Sequence, residues 1–138
     1  MDDLIAFFQA RLDDEQRLAE AVSRETTEPN WSAGDLNLSD YVTTAEHGNP
    51  VVVGPYSGFM SWEMRQYIAL HDPARALEDV AAKRRVIEAY EKVVFEQKVR
   101  ANHPGEDLAS MQQALRHAIK ILALPHAAHP DYCEVWRP

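Results

Sequence analysis

Apolar residues recur at helical spacing along three stretches of the chain, and each stretch predicts an amphipathic helix. The first begins at Asp2 or Asp3, because acidic side chains suit the positive end of a helix, and it should end near Ser23, before the turn-forming segment ETTEPNW. Its predicted core positions are Leu4, Phe8, Leu12, Leu18 and Val22, with Ile5 and Phe7 widening the stripe.

The other two helical stretches occupy the second half of the chain. Asp72 and Pro73 are residue types favoured at helix N termini, and they predict a long helix that fades near Asn102. A last helix should extend from about Glu106 to Leu124. The predicted core positions are Leu77, Val80, Ile87, Tyr90 and Val94 in the long helix and Leu108, Met111, Leu115, Ile119 and Leu122 in the last one.

Two short segments between the first and second of these helices are rich in β-branched and aromatic residues. They cover residues 40–46 and 51–56, flank the turn sequence HGNP and predict an antiparallel hairpin. A short helix from Trp62 to Leu70 should follow, with Ser61 as its cap. The predicted fold class is therefore mainly α with a small inserted antiparallel β hairpin (α+β). Its order is helix, hairpin, short helix, long helix, helix and docked C-terminal tail, in a single domain over residues 1–138.

The formal net charge of the 138 residues is −8. We expect no direct nucleic-acid binding, which needs positive charge to displace counterions, and no docking on anionic membranes. An acidic protein can also imitate the negative charge of a nucleic acid. Because the acidic residues here are interspersed with basic ones, this function ranks low among the candidates. The single cysteine, Cys133, permits no internal disulfide. Neither a signal peptide nor a membrane-spanning stretch is evident, so we expect a cytoplasmic protein.

The C-terminal segment ALPHAAHPDYCEVWRP allows two interpretations. His126, His129 and Cys133 are spaced H-x2-H-x3-C, and all three residue types bind zinc. Alternatively, Tyr132 and Trp136 are apolar anchors that pack the tail onto the helices, since aromatic side chains bury large areas. The second interpretation predicts a docked tail without any cofactor, and zinc is the alternative.

A second candidate site is the basic cluster in the long helix. Lys83, Arg84 and Arg85 could bind a phosphate or a carboxylate, together with His71 and His129. Such a run is more often a solvated helix face. His71 directly precedes Asp72, whose carboxylate could orient the imidazole as a catalytic base. The capping of the long helix by Asp72 is the competing and favoured interpretation. No glycine-rich phosphate loop, nucleophile elbow or HExxH motif occurs, so no catalytic residue is predicted.

Aromatic residues are abundant in and beside the predicted hairpin, namely Tyr41, Tyr56, Phe59 and Trp62. Some must cover the core, and a surplus on an open sheet face would make a surface for a protein partner. Exposed strand edges also invite strand addition between subunits, which favours a homodimer.

Three segments together carry a resemblance: MDDLIAFFQARLDDEQRLA, YIALHDPARALEDVAAKRRVIEAYE and the closing tail. The combination HDPARxL, AKRR and HPDYxExWRP resembles an uncharacterised family of small actinobacterial and actinophage proteins, a domain of unknown function. The resemblance implies a small intracellular protein, often carried by phages or near mobile genes, and it implies no activity.

The resemblance also ranks the tail residues. His129, Tyr132, Trp136 and Arg137 match the family pattern, which favours a packed tail with Tyr132, Trp136 and Arg137 as its structural anchors. The family usually has tyrosine or a similar residue at position 126 and arginine at position 133, so two of the three zinc ligands are not family features. We also expect Asp131, Glu134 and the C-terminal carboxylate to meet basic residues of the long helix, chosen from Arg75, Lys83, Arg84 and Arg85.

These observations rank the functions. A non-enzymatic accessory protein that acts through a protein partner comes first. A small-molecule or nucleotide-phosphate binder, or a small enzyme, that uses the basic cluster and the histidines comes second, and a zinc protein comes third.

Overall fold

The computed structural model describes residues 1–33, 41–53, 60–99 and 107–138. Within these ranges the chain forms helices and a small sheet, followed by two short 3-10 turns at residues 124–126 and 134–136. The elements are α1 (Asp2–Thr26), β1 (Trp31–Ser32), β2 (Tyr41–Thr44), β3 (Pro50–Val53), α2 (Trp62–Leu70), α3 (Pro73–Val99) and α4 (Leu108–Ala123). The prediction of a mainly α chain with an inserted hairpin is confirmed.

The sheet contains one strand that the sequence pattern did not predict. β1 pairs antiparallel with β2, which pairs antiparallel with β3, so the described strand order is β1-β2-β3. β1 is only two residues long and lies in the segment that was interpreted as a turn, too short for a period-2 pattern to be visible. The predicted strand positions 40 and 54–56 lie outside the described residues.

Helix α1 is three residues longer than predicted. The Thr26 hydroxyl donates to the carbonyl of Val22 at 2.9 Å, which holds the last turn, and it lies 2.8 Å from the carbonyl oxygen of Glu28. Thr27 then takes a left-handed backbone conformation, with φ of 63°. The side-chain bond and this turn set the end of the helix, and neither follows from hydrophobic periodicity.

The chain divides into two compact units. We call residues 1–13 with 81–138 the terminal unit and residues 14–80 the central unit. Leu4, Phe8 and Leu12 are fully buried in the terminal unit, as are Ile87 and Ile119 with exposures of 1% or less. The buried apolar residues of the central unit are Ala19, Val42, Met60 and Val80. The single domain stays a prediction.

Two predicted core positions are wrong. Leu18 is 60% exposed, because six residues from Leu12 turn the helix by about 240° beyond whole turns, away from the buried stripe. Ala19 returns to that stripe and is buried. Met111 is 52% exposed, since the buried residues of α4, Ile119 and Ala123, lie in its C-terminal half.

Candidate partner-binding site

In the terminal unit, the C-terminal tail packs on one aromatic side chain of α1. The Phe7 ring lies 5.8 Å from the Tyr132 ring and 5.2 Å from the Trp136 ring, measured between centroids. The Tyr132 and Trp136 rings also meet edge to face at 5.5 Å. These contacts fit the predicted docked tail, and the role of Tyr132 and Trp136 as its anchors stays a prediction.

The two tail histidines pack against the same helix. His126 lies with its ring centroid 5.9 Å from Phe8, and His129 lies 5.6 Å from Phe7. The Nε2 atom of His129 is hydrogen-bonded to the Arg11 guanidinium, which can only donate, so this nitrogen accepts. Cys133 is exposed. Within the described ranges, these three side chains do not form a group with ligand atoms within 4.8 Å of one another.

A lysine that the sequence interpretation did not single out ties the tail to α4. The ammonium group of Lys120 donates to the carbonyl of Arg137 at 2.9 Å and to that of Val135 at 3.4 Å. Arg137 pairs with Glu134. Their hydrogen bond lowers the pKa of the Glu134 carboxyl and raises the pKa of the Arg137 guanidinium. The basic partner of Glu134 is therefore Arg137 of the same tail. A basic residue of the long helix was expected in its place.

The predicted ligand-binding residues do not all belong to one unit. Lys83, Arg84, Arg85 and His129 lie in the terminal unit, and Arg84 pairs with Asp13 of α1 at 2.6 Å. His71 lies in the central unit and ends α2, where its Nδ1 donates to the carbonyl of Tyr67 at 2.7 Å. Asp72 is the cap predicted for α3, because its carboxylate accepts from the backbone N–H of Arg75 at 2.8 Å.

A second set of ionisable side chains was missed by the sequence interpretation. Glu28 is 6% exposed and accepts hydrogen bonds from the His47 ring and, at 2.8 Å, from the backbone N–H of Glu46. Burial raises the pKa of Glu28, but these bonds and one from Thr44 outweigh it, and the pKa is lowered. The ligand atoms of Glu28, Glu46 and His47 lie within 4.8 Å of one another. Because groups of the hairpin turn already donate hydrogen bonds to the Glu28 carboxylate, we interpret the cluster as a structural link to that turn.

A groove of about 700 Å³ opens on the central unit between β1 and α2. Its walls include three aromatic rings, those of Trp31, Trp62 and Tyr67, together with Glu63 and Leu70. Such a volume lies within the usual range of ligand pockets, about 300–1,000 Å³. Of the aromatic residues expected at a partner surface, Trp62 lines the groove. The Tyr41 side chain, Tyr56 and Phe59 lie outside what the structure describes.

The face of α2 beside this groove is apolar and exposed. Tyr67 is 66% exposed, and Met64 and Leu70 are about half exposed. These residues follow one another at intervals of three, so they lie along one side of the helix. Large apolar side chains grouped in this way mark interaction sites more often than scattered ones do.

The net charge of the protein is unevenly distributed between the two units. The central unit has twelve Asp and Glu residues, four Arg and no Lys, which gives a formal charge of −8. The terminal unit has ten acidic and ten basic residues. The whole excess of acidic over basic residues therefore belongs to the central unit.

The described part of the chain is thus a mainly helical α+β protein whose acidic central unit has an aromatic groove. The chain belongs to the DUF6221 family, a family of unknown function, whose model matches residues 1–138. This confirms the expected membership of an uncharacterised family. No curated protein and no solved structure matches the chain. Among the described residues, no helix is both long and apolar enough to span a membrane.

Proposed function

We propose that this protein is a non-enzymatic accessory protein of the cytoplasm that binds a basic protein partner through its central unit. The observation that carries the proposal is the location of the entire net charge of −8 in residues 14–80. A concentrated field of one sign attracts partners of the opposite sign and speeds their association. The exposed apolar face of α2 supplies the contact area that charge alone does not provide.

The biological setting rests on the resemblance and on composition. The resemblance to actinobacterial and actinophage proteins supports a role in a phage or mobile-element context. A single free cysteine, exposed at position 133, fits a reducing compartment. A homodimer stays a prediction, and native mass spectrometry of the untagged protein would report the number of subunits.

The proposal is tested with a labelled peptide of alternating arginine and glycine, measured by fluorescence anisotropy. We expect saturable binding that weakens at least about tenfold between about 50 and about 300 mM salt. A peptide with citrulline in place of arginine, which has nearly the same shape but no charge, should bind much more weakly. Absence of binding by the arginine peptide would exclude the proposed partner class.

Two charge-reversal variants locate the binding surface. Glu63→Lys with Glu78→Lys changes the central unit, and Glu88→Lys with Glu91→Lys changes the terminal unit by the same amount. All four residues are exposed. We expect the first variant to lose about tenfold in affinity and the second less than about threefold. Equal losses would mean that only the total charge matters, and the proposal for the central unit would be wrong.

A further inference from the structure

The groove between β1 and α2 has the composition of a site for an organic cation. Aromatic faces attract ammonium and guanidinium groups, and a nearby carboxylate adds to the attraction. Trp62 and Tyr67 supply the rings and Glu63 supplies the carboxylate, all on the wall of one groove. The other charged side chain of α2, Arg65, is buried and donates to the carbonyl of Ala33 at 3.1 Å.

The chain itself already shows this type of contact. The guanidinium carbon of Arg65 lies 5.3 Å from the centroid of the Trp62 ring. This cation covers one face of the indole from within the protein. Planar guanidinium groups stack on aromatic rings more readily than ammonium groups do, which favours arginine as the residue that the groove takes from a partner.

The third ring of the groove carries an unsatisfied donor. The Trp31 indole nitrogen is enclosed and has no hydrogen-bond partner among the residues that the structure describes. Buried donors in native proteins are nearly always paired, so this N–H is a donor that a bound group could satisfy. The Trp31 backbone N–H is already bonded to Asp72 at 3.1 Å, which leaves the indole as the donor available on this residue.

We propose that the groove binds an arginine side chain from a basic segment of the partner. The guanidinium lies against Tyr67 and Trp62 beside Glu63, and the Trp31 ring moves enough for its N–H to donate to a carbonyl of the bound segment. This inference rests on the proposed function, because it names the residue by which the basic partner is recognised. Because the central unit is acidic, we expect the group that it binds in the groove to be positively charged.

The test uses N-acetyl-arginine methylamide and its citrulline counterpart as probes, with the protein labelled with ¹⁵N. The three tryptophans give three indole signals, which substitution of each by phenylalanine assigns. We expect the arginine probe to shift the Trp31 and Trp62 signals and to leave that of Trp136 in place. Equal shifts with the citrulline probe would show that the groove does not select a cation, and would overturn the inference.

Variants of Tyr67 separate a cation site from a merely apolar one. Tyr67→Phe keeps the ring and should bind the arginine peptide within about twofold of the parent protein. Tyr67→Ala and Tyr67→Leu should each lose at least about fivefold, because both remove the ring. Phe95→Ala is the matched control, since Phe95 is also 66% exposed but lies in the terminal unit.

The outcomes distinguish the inference from the proposed function. If the arginine peptide binds in a salt-dependent way but Tyr67→Ala has no effect, the groove is not the recognition site and the acidic unit still binds basic partners. Retained affinity in Tyr67→Leu would show that apolar contact suffices without a ring. If the arginine peptide does not bind at all, both the proposed function and the groove site are wrong.

Discussion

Each unit contains a group of three aromatic side chains, and the two groups are arranged differently. In the terminal unit, Phe7 is covered by Tyr132 and Trp136, and the three rings contact one another. In the central unit, Trp31, Trp62 and Tyr67 line an open groove. The residue types are nearly the same. What differs, among the residues that the structure describes, is whether a segment of the same unit covers the rings, as the C-terminal tail does.

The charge of the two units follows the same division. The terminal unit is electrically balanced, and its tail contains the ion pair between Glu134 and Arg137. The central unit has three acidic residues for each basic one. The covered cluster of Phe7, Tyr132 and Trp136 lies in the electrically balanced unit. The groove lies in the strongly charged unit, where self-repulsion lowers stability, and this is the unit through which we propose that a partner binds.

The largest effect on stability should come from the loss of Phe7, whose ring contacts Tyr132 and Trp136 in what we call the closed cluster. Phe7→Ala removes a nearly buried ring that contacts both tail anchors, so we expect the free energy of unfolding to fall by about 3–5 kcal/mol. Urea denaturation followed by circular dichroism measures this change. Val135→Ala is the control, because Val135 is 75% exposed in the same tail and should change stability by less than about 0.5 kcal/mol. An equally small loss for Phe7→Ala would show that the tail is not docked.

The closed cluster was more accessible to sequence reasoning than the open groove. Tyr132 and Trp136 stand out in a short tail after a helix-ending proline, and an ordered terminal segment needs such anchors. The groove depends on β1, which is two residues long, and on Tyr67, whose exposure depends on which side of α2 meets the sheet. Neither is encoded in local periodicity.

The same distinction applies to polar contacts. The role of Asp72 as a cap was predicted, because capping acts over three residues and depends on local sequence. The bonds from the hairpin turn to Glu28 join positions about eighteen residues apart and could not be predicted from spacing. The separation of charge became visible only when the folded chain defined which residues belong to each unit.

The Glu28 link should make the central unit sensitive to acid. Because the folded-state pKa of Glu28 is lowered, the link stabilises the protein above the pKa of an unfolded glutamate, about 4.3, and is lost as the pH falls through the folded-state value. Glu28→Gln should therefore lower the urea midpoint at pH 7, by less than Phe7→Ala does, and should approach the parent protein at pH 3.

The control for this variant is Glu25→Gln, which removes an exposed carboxylate in the last turn of α1, three residues before Glu28. It should leave the urea midpoint at pH 7 nearly unchanged. A deficit of Glu28→Gln that persisted unchanged at pH 3 would indicate that the amide disturbs packing and that the carboxylate charge is not responsible.

The smallest effect, and one of opposite sign, concerns an unsatisfied hydroxyl in the closed cluster. The Tyr132 hydroxyl oxygen is enclosed and has no hydrogen-bond partner among the described residues. Burying such a group is costly, so Tyr132→Phe should keep the ring contacts and raise the free energy of unfolding by up to about 1 kcal/mol. Tyr67→Phe is the control, since its hydroxyl belongs to a 66% exposed side chain and its removal should change stability very little. Destabilisation by Tyr132→Phe would reveal a partner for this hydroxyl, such as a buried water. The terminal unit would then hold a polar anchor within its aromatic cluster.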